Sequence, residues 1–223
     1  VEEAKKAALK IRSNWDIGSD GIIDVISMLE EHGIKVIEIN APDSFDGLST
    51  FINCSNPIIV LNKNMQPERI RFTALHELGH LIMRFKDGLG KREIENLCNT
   101  FANEMLIPET EFKSIVGDKR KYISYNELTY MQRQFGISCD ALMHKAKDSN
   151  VISERYYRGF CIRKNRNPDY KKLIENSVYP KENSSRFERL VYQALSKDMI
   201  STSSAASLLN IPIDEVKRNA SYQ

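Results

Sequence analysis

Apolar residues recur along this chain first at helical and then at strand spacing. Ala4, Ala7, Ala8 and Ile11 lie three and four apart, so residues 2–13 read as a short amphipathic helix, with Trp15 following. Asp20 is placed to cap a second helix bearing Ile22, Ile23, Val25, Ile26 and Leu29, and Gly33 stands where a left-handed C-terminal cap is wanted. Residues 34–39 then read as a strand. A loop rich in Asp, Pro and Gly over 40–47 leads to a hairpin: residues 48–53, a turn at Cys54-Ser55-Asn56-Pro57, and residues 58–61. Pro67 suits the first turn of a helix over 68–84, and another over 92–106 is stopped by Pro108.

After Gly117 the pattern is helical with little strand signal. Residues 127–135 and 140–147 flank Gly136-Ile137-Ser138 as helix, tight turn, helix, and residues 205–209 and 213–218 about Asn210-Ile211-Pro212 echo that unit. Residues 181–185 have the look of an exposed linker. Strands grouped together with helices around them predict an α+β module rather than a doubly wound one. Two domains are expected, residues 1–118 and a mostly α-helical part over 119–223.

Composition and charge narrow the function classes. The longest apolar runs last only a few residues, against the roughly 20 a spanning helix needs, so a transmembrane role is excluded. The charged N-terminus lacks the apolar region of a secretory signal, which predicts a cytoplasmic protein. Cys54, Cys98, Cys139 and Cys161 form no Cys-x-x-Cys pair and read as reduced thiols. The net charge of +2 hides an asymmetry, with 14 Lys+Arg against 19 Asp+Glu over residues 1–119 and 18 against 11 over 120–223. The basic half, with Arg155, Arg158, Arg163, Lys164 and Arg166 beside Tyr156, Tyr157 and Phe160, suits an acidic partner or nucleic acid. Neither helix-turn-helix-like unit has a notably basic second helix, however, so a helical cap with a solvated basic face is favoured over DNA contact.

The chemistry lies in His76-Glu77-Leu78-Gly79-His80, a His-Glu-x-x-His in the middle of an amphipathic helix. His76 and His80 are one turn apart, so both imidazoles leave one face and can converge on a metal ion, zinc being the usual choice for such donors. Glu77 is close enough to reach water at the metal without being a ligand, the position of a general base. A catalytic zinc needs a third protein ligand, with Asp87, Glu93, Glu95, Glu104 and Glu109 as candidates. On a wheel of about 100° per residue, Glu95 shares the inward face of Ala102 and Leu106, while Glu93 and Glu104 fall on the opposite, wet side. Glu95 is therefore the chosen ligand, and Asn99, one turn on, is placed to hydrogen-bond a ligand. A substrate would lie extended along an edge strand of the hairpin, at Leu48, Ser49 and Thr50. Tyr122, Tyr125, Tyr130 and His144 are oxyanion-stabilising candidates by residue type alone.

Residues 71–80 and the run Glu95-Asn96-Leu97-Cys98-Asn99-Thr100-Phe101-Ala102, ending at Pro108, resemble the ImmA/IrrE metallopeptidases, as do Asp46-Gly47-Leu48-Ser49 and Val60-Leu61-Asn62. The resemblance covers about residues 1–115. It implies a zincin core of the thermolysin-like (gluzincin) kind, with a small three-stranded sheet, an active-site helix and Glu95 as third zinc ligand. It also implies cleavage of repressor or antitoxin-type regulators in bacteria, phages and mobile genetic elements, so a transcriptional repressor is the expected partner. Many relatives join this core to an upstream helix-turn-helix domain, for which a chain beginning with Val rather than Met leaves room. Relatives often carry Ala where Cys98 stands, a departure that leaves the ligands intact.

Overall fold

A computed structural model describes residues 1–221, which divide into two compact units, the first being Val1–Glu182 and the second beginning at Asn183. In the first unit, α1 (Glu2–Asn14) and α2 (Val25–Glu31) precede β1 (Lys35–Ile39), β2 (Gly47–Ile52) and β3 (Asn56–Asn62). Then come α3 (Pro67–Ile82), α4 (Lys91–Leu106), α5 (Glu109–Val116), α6 (Tyr125–Phe135), α7 (Cys139–Asp148), α8 (Glu154–Arg166) and α9 (Pro168–Ile174). The α+β class agrees with the sequence pattern. Among the described residues no helix is long and apolar enough to cross a membrane.

The sheet has the order β1-β3-β2, with β1 parallel to β3 and β2 antiparallel to it, Leu48 standing opposite Val60. The central strand β3 buries Ile58, Ile59 and Leu61, while β2 is an edge strand whose Leu48 and Phe51 stay exposed. Asn62 ends β3 fully buried, and its amide donates to the carbonyls of Ala41, Pro42 and Phe45 at 3.0–3.1 Å, which shapes the loop leading into β2.

Two local expectations are corrected. Asp24, not Asp20, caps α2, its carboxylate accepting the Ser27 amide at 2.7 Å. The carbonyl of Asp20 is instead held by the buried Arg12, so Ile22 and Ile23 lie outside the helix and Ile23 is exposed. Gly33 has the expected positive φ, at 83°.

The core of the first unit does not stop at residue 118. Phe101, Met105 and Phe112 pack in one cluster with Leu128, Met131, Phe135, Leu142 and Phe160, so α6, α7 and α8 bury their apolar faces in the same interior as the sheet and α3. The division falls at 182/183 instead, since burial decides which helices share a core and net charge reports only on their surfaces. Nor is 181–185 uniformly an exposed linker. Glu182 is buried, accepts the amides of Val25 and Ile26 at 2.9 and 3.3 Å, and pairs with the buried guanidinium of Arg71 on α3. Arg71 also donates to Gly136, Ile22 and Phe135 carbonyls at 3.1, 2.6 and 3.2 Å. A β-carbon on Gly136 would stand 2.4 Å from Arg71 Nε, and its φ of 59° is left-handed, so this turn requires glycine twice over.

The second unit comprises α10 (Arg186–Ser196), α11 (Thr202–Leu209) and α12 (Ile213–Ser221). Its small core is Val191, Ala205, Ala206 and Val216, and Asn210, with φ of 55°, makes the turn between α11 and α12.

Candidate metal centre

The helix α3 starts with Pro67 in its first turn and buries Ile70, Ala74, Leu75 and Leu78, which fixes its orientation in the core. Gly79 allows α4 to come close: a β-carbon there would meet Phe101 Cδ1 at 3.3 Å and the Cys98 backbone at 3.5 Å. That approach brings the carboxylate of Glu95 to the imidazoles of α3. Glu95 Oε2 is 3.1 Å from His76 Nε2, Glu95 Oε1 is 3.7 Å from His80 Nε2, and the two Nε2 atoms are 3.1 Å apart. One donor atom from each of His76, His80 and Glu95 lies within 4.8 Å of the others, the arrangement of a metal-binding group.

The donors fit a tetrahedral divalent ion. Ligands about 2.0–2.1 Å from zinc stand roughly 3.3 Å from each other, close to the separations found here. Two imidazole lone pairs and a carboxylate facing each other repel unless a proton or a metal cation lies among them. His76 Nδ1 is 2.8 Å from the carboxamide oxygen of Asn99, which accepts its N–H and leaves Nε2 as the free donor atom. The ring of Phe72 packs 6.4 Å from that of His76 and the ring of Phe85 6.2 Å from that of His80.

Glu95 differs from expectation in one respect. Its side chain is 40% exposed rather than buried. The fully buried residues of α4 begin at Cys98, and Glu95 stands before them, nearer the exposed start of the helix. Glu104, expected on the wet side, is buried and paired at 2.9 Å with Lys145 of α7. A helical wheel of α4 alone contains no sign of α7, whose Lys145 covers that side of the helix. Glu93 is exposed and accepts the Gly90 amide at 2.9 Å, while Glu109 pairs with Lys5 and Lys113, each at 2.5 Å.

Glu77 is 9% exposed and receives the Ser49 hydroxyl at 2.6 Å. The contact follows from matched periods. Along β2 every second residue faces α3, and two residues of strand advance about 6.6 Å, close to the roughly 6 Å that four helical residues rise. A β-carbon on Gly47 would thus lie 2.8 Å from Thr73, and Ser49, two residues on, meets Glu77, four residues on; Asp46, just before β2, pairs with Arg69 at 2.7 Å. Leu48 and Thr50 point the other way and are exposed. Sequence reading placed Ser49 on the substrate strand but missed its bond to Glu77; the signal available was the two-residue step from Gly47.

The Cys98 thiol is pushed up to about 12 by burial and by the Glu95 and Glu77 charges, and it stands outside the group formed by His76, His80 and Glu95. Of the tyrosines and histidine considered for oxyanion stabilisation, Tyr122 and Tyr130 are exposed, the Tyr125 hydroxyl donates to the Leu173 carbonyl at 3.4 Å, and His144 pairs with Asp148.

Comparison with known proteins places these residues in context. Residues 29–147 match the family model of the M78 peptidases described as the IrrE N-terminal-like domain. Over 64 residues the chain is 41% identical to the radiation response metalloprotease IrrE of Deinococcus radiodurans, a match covering 23% of this chain and 20% of that protein. The match thus spans about a fifth of that relative's length. A solved Mycobacterium tuberculosis transcriptional regulator is similar with a TM-score of 0.48 and 17% identity, over 65% of this chain and 47% of that one.

Proposed function

The chain belongs to the M78 peptidase family, whose IrrE N-terminal-like domain spans its residues 29–147, and from that premise we propose that it is a zinc-dependent endopeptidase with a gluzincin-like core. Its substrate is a cytoplasmic regulatory protein of repressor or antitoxin type. The observation that carries this reading is the convergence of His76, His80 and Glu95 beside the nearly buried carboxylate of Glu77.

In this reading His76, His80 and Glu95 hold the ion. A bound zinc supplies Lewis acidity, polarising a carbonyl and bringing the pKa of water to about 7. The remaining work belongs to the chain. Asn99 fixes the tautomer and orientation of His76. Glu77 accepts a proton from the attacking water and returns it to the leaving amine, while Ser49 holds one of its carboxylate oxygens and so orients the other. The substrate pairs with the free edge of β2 at Leu48, Ser49 and Thr50, where main-chain hydrogen bonds bind any sequence and side-chain contacts choose among them.

The test divides ligand from base. Glu77→Gln keeps near-stoichiometric zinc and loses cleavage of the regulator encoded beside this protein, whereas His80→Ala loses the metal. A chelator abolishes fragments made by the wild type. Cleavage by Glu77→Gln at the wild-type rate overturns the assignment of the base.

A further inference from the structure

The sheet has two edges, and they are guarded differently. β1 carries Lys35 and Glu38, charges of the kind that keep an exposed edge from pairing at random. β2 contains neither a charged residue nor a proline, and on it Leu48, Phe51 and Ile52 are 43, 49 and 48% exposed. Among the described residues no strand pairs with the outer side of β2, so its row of N–H and C=O groups is met in regular register only by another extended backbone. The occupant that fits this edge is a strand with apolar side chains.

The bond from Ser49 to Glu77 fixes where along the edge the chemistry falls. Gly47, Ser49 and Phe51 share the face turned toward α3, standing opposite Leu61, Ile59 and Pro57 of β3, while Leu48 and Ile52 point to the other face of the sheet. The step that carries Gly47 beside Thr73 and Ser49 to Glu77 reaches the last turn of α3 at Phe51. The helix ends at Ile82, and the ring is left half uncovered about 6.6 Å along the strand from Ser49. In a strand added along β2, a residue directly opposite one of β2 points to the same face. The residue opposite Ser49 is presented to Glu77, and the residue opposite Phe51, two further along, lays its side chain against the ring.

We propose that Phe51 is a specificity-determining residue, its ring packing against an aromatic or branched aliphatic side chain of the substrate two or three residues from the scissile bond, on one side of the cut only. The proposal rests on the peptidase reading and supplies its substrate class: an extended segment with an apolar side chain at a fixed distance from the cut.

The test uses the full zinc-loaded chain and a library of blocked decapeptides randomised at each position, with the cuts read by mass spectrometry. Leucine or phenylalanine is favoured over aspartate by about fivefold in kcat/KM at one position two or three residues from the cut, the size expected of an apolar cross-strand pair. Phe51→Arg inverts that preference toward aspartate and leaves zinc content unchanged. Ile52→Arg, on the other face, moves selectivity toward aspartate at an adjacent position instead. A merely structural role of Phe51 lowers cleavage of all peptides alike and inverts nothing. If Phe51→Arg fails to fold, Phe51→Thr, which suits a strand, abolishes the preference. A leucine preference that survives substitution of Phe51, one position answering to both arginine variants, or no such preference in the wild type overturns the assignment. If no peptide is cut, the peptidase reading fails on its own, and fluorescence anisotropy with a labelled decapeptide of alternating threonine and leucine decides the edge. Tighter binding by the wild type than by Phe51→Arg supports the contact, and equal binding by the two proteins overturns it.

Discussion

The carboxamide oxygen of Asn99 stands 2.8 Å from Nδ1 of His76, so a residue of α4 decides which nitrogen of an α3 histidine is free. Partners of this kind typically set metal affinity by about 10- to 100-fold. Asn99→Ala should weaken zinc binding by that amount in a chelator-competition titration. Asn99→Asp, which keeps an acceptor at the same place, should stay much closer to wild type. Equal affinity in all three proteins would show that the contact does not orient the imidazole.

Ser49 and Glu77 give a second expectation, on rate rather than metal. A hydrogen bond to a charged group is worth about 1.5–3 kcal/mol, so Ser49→Ala should lower kcat/KM about tenfold or more while zinc content holds. Thr50→Ala, one residue along and facing away from α3, should have little effect on zinc or on the pH profile. Metal analysis beside the kinetics separates misplacement of Glu77 from loss of the site.

Glu104 and Lys145 form an ion pair 2.9 Å long, both side chains nearly inaccessible, and burial lowers the Lys145 pKa while Glu104 opposes the shift. Glu104→Gln leaves the ammonium unpaired and should cost about 3–5 kcal/mol in chemical denaturation. Combining it with Lys145→Met should recover most of that loss. If the single variant costs under about 1 kcal/mol, the pair is solvated in solution.

This pair also marks where sequence reading reaches its end. The strands, the two helices of the centre and the His76–His80 pair were legible because each rests on spacing within one element, whereas the approach of Glu95 to that pair is a contact between α3 and α4. Glu104 was misjudged because its burial comes from α7, more than 40 residues away in sequence, and a helical wheel carries no record of a distant neighbour. Asp24 rather than Asp20 caps α2 through a local bond, its carboxylate accepting the amide of Ser27 three residues on, and the sequence offered both aspartates at the start of the helix.

Glu127 opens α6 and is held below its usual 4.5 by the Ser124 amide first, against desolvation, with the Ser124 hydroxyl and Arg120 adding to the effect. Its folded pKa is depressed, so its contribution is complete above 4.5 and disappears as pH falls through the lower folded value. The thermal midpoint of Glu127→Gln should therefore lie below wild type near neutral pH, with the gap closing as the pH is taken below 4.5 and through the lower folded value. A gap that stays constant over this range would assign the effect to neutral hydrogen bonding instead.

The pairing of Arg71 with Glu182 gives α3 a partner late in the sequence. During synthesis α3 emerges more than a hundred residues before the only carboxylate that reaches its buried guanidinium at hydrogen-bond distance among the described residues. Until then that positive charge resists being sealed into the interior, so a nascent chain cut short at residue 147, where the family match ends, holds every proposed zinc ligand without the anchor that closes the helix into its core. The seating of α3 in its core thus draws on a residue 35 positions beyond the span that the family model matches.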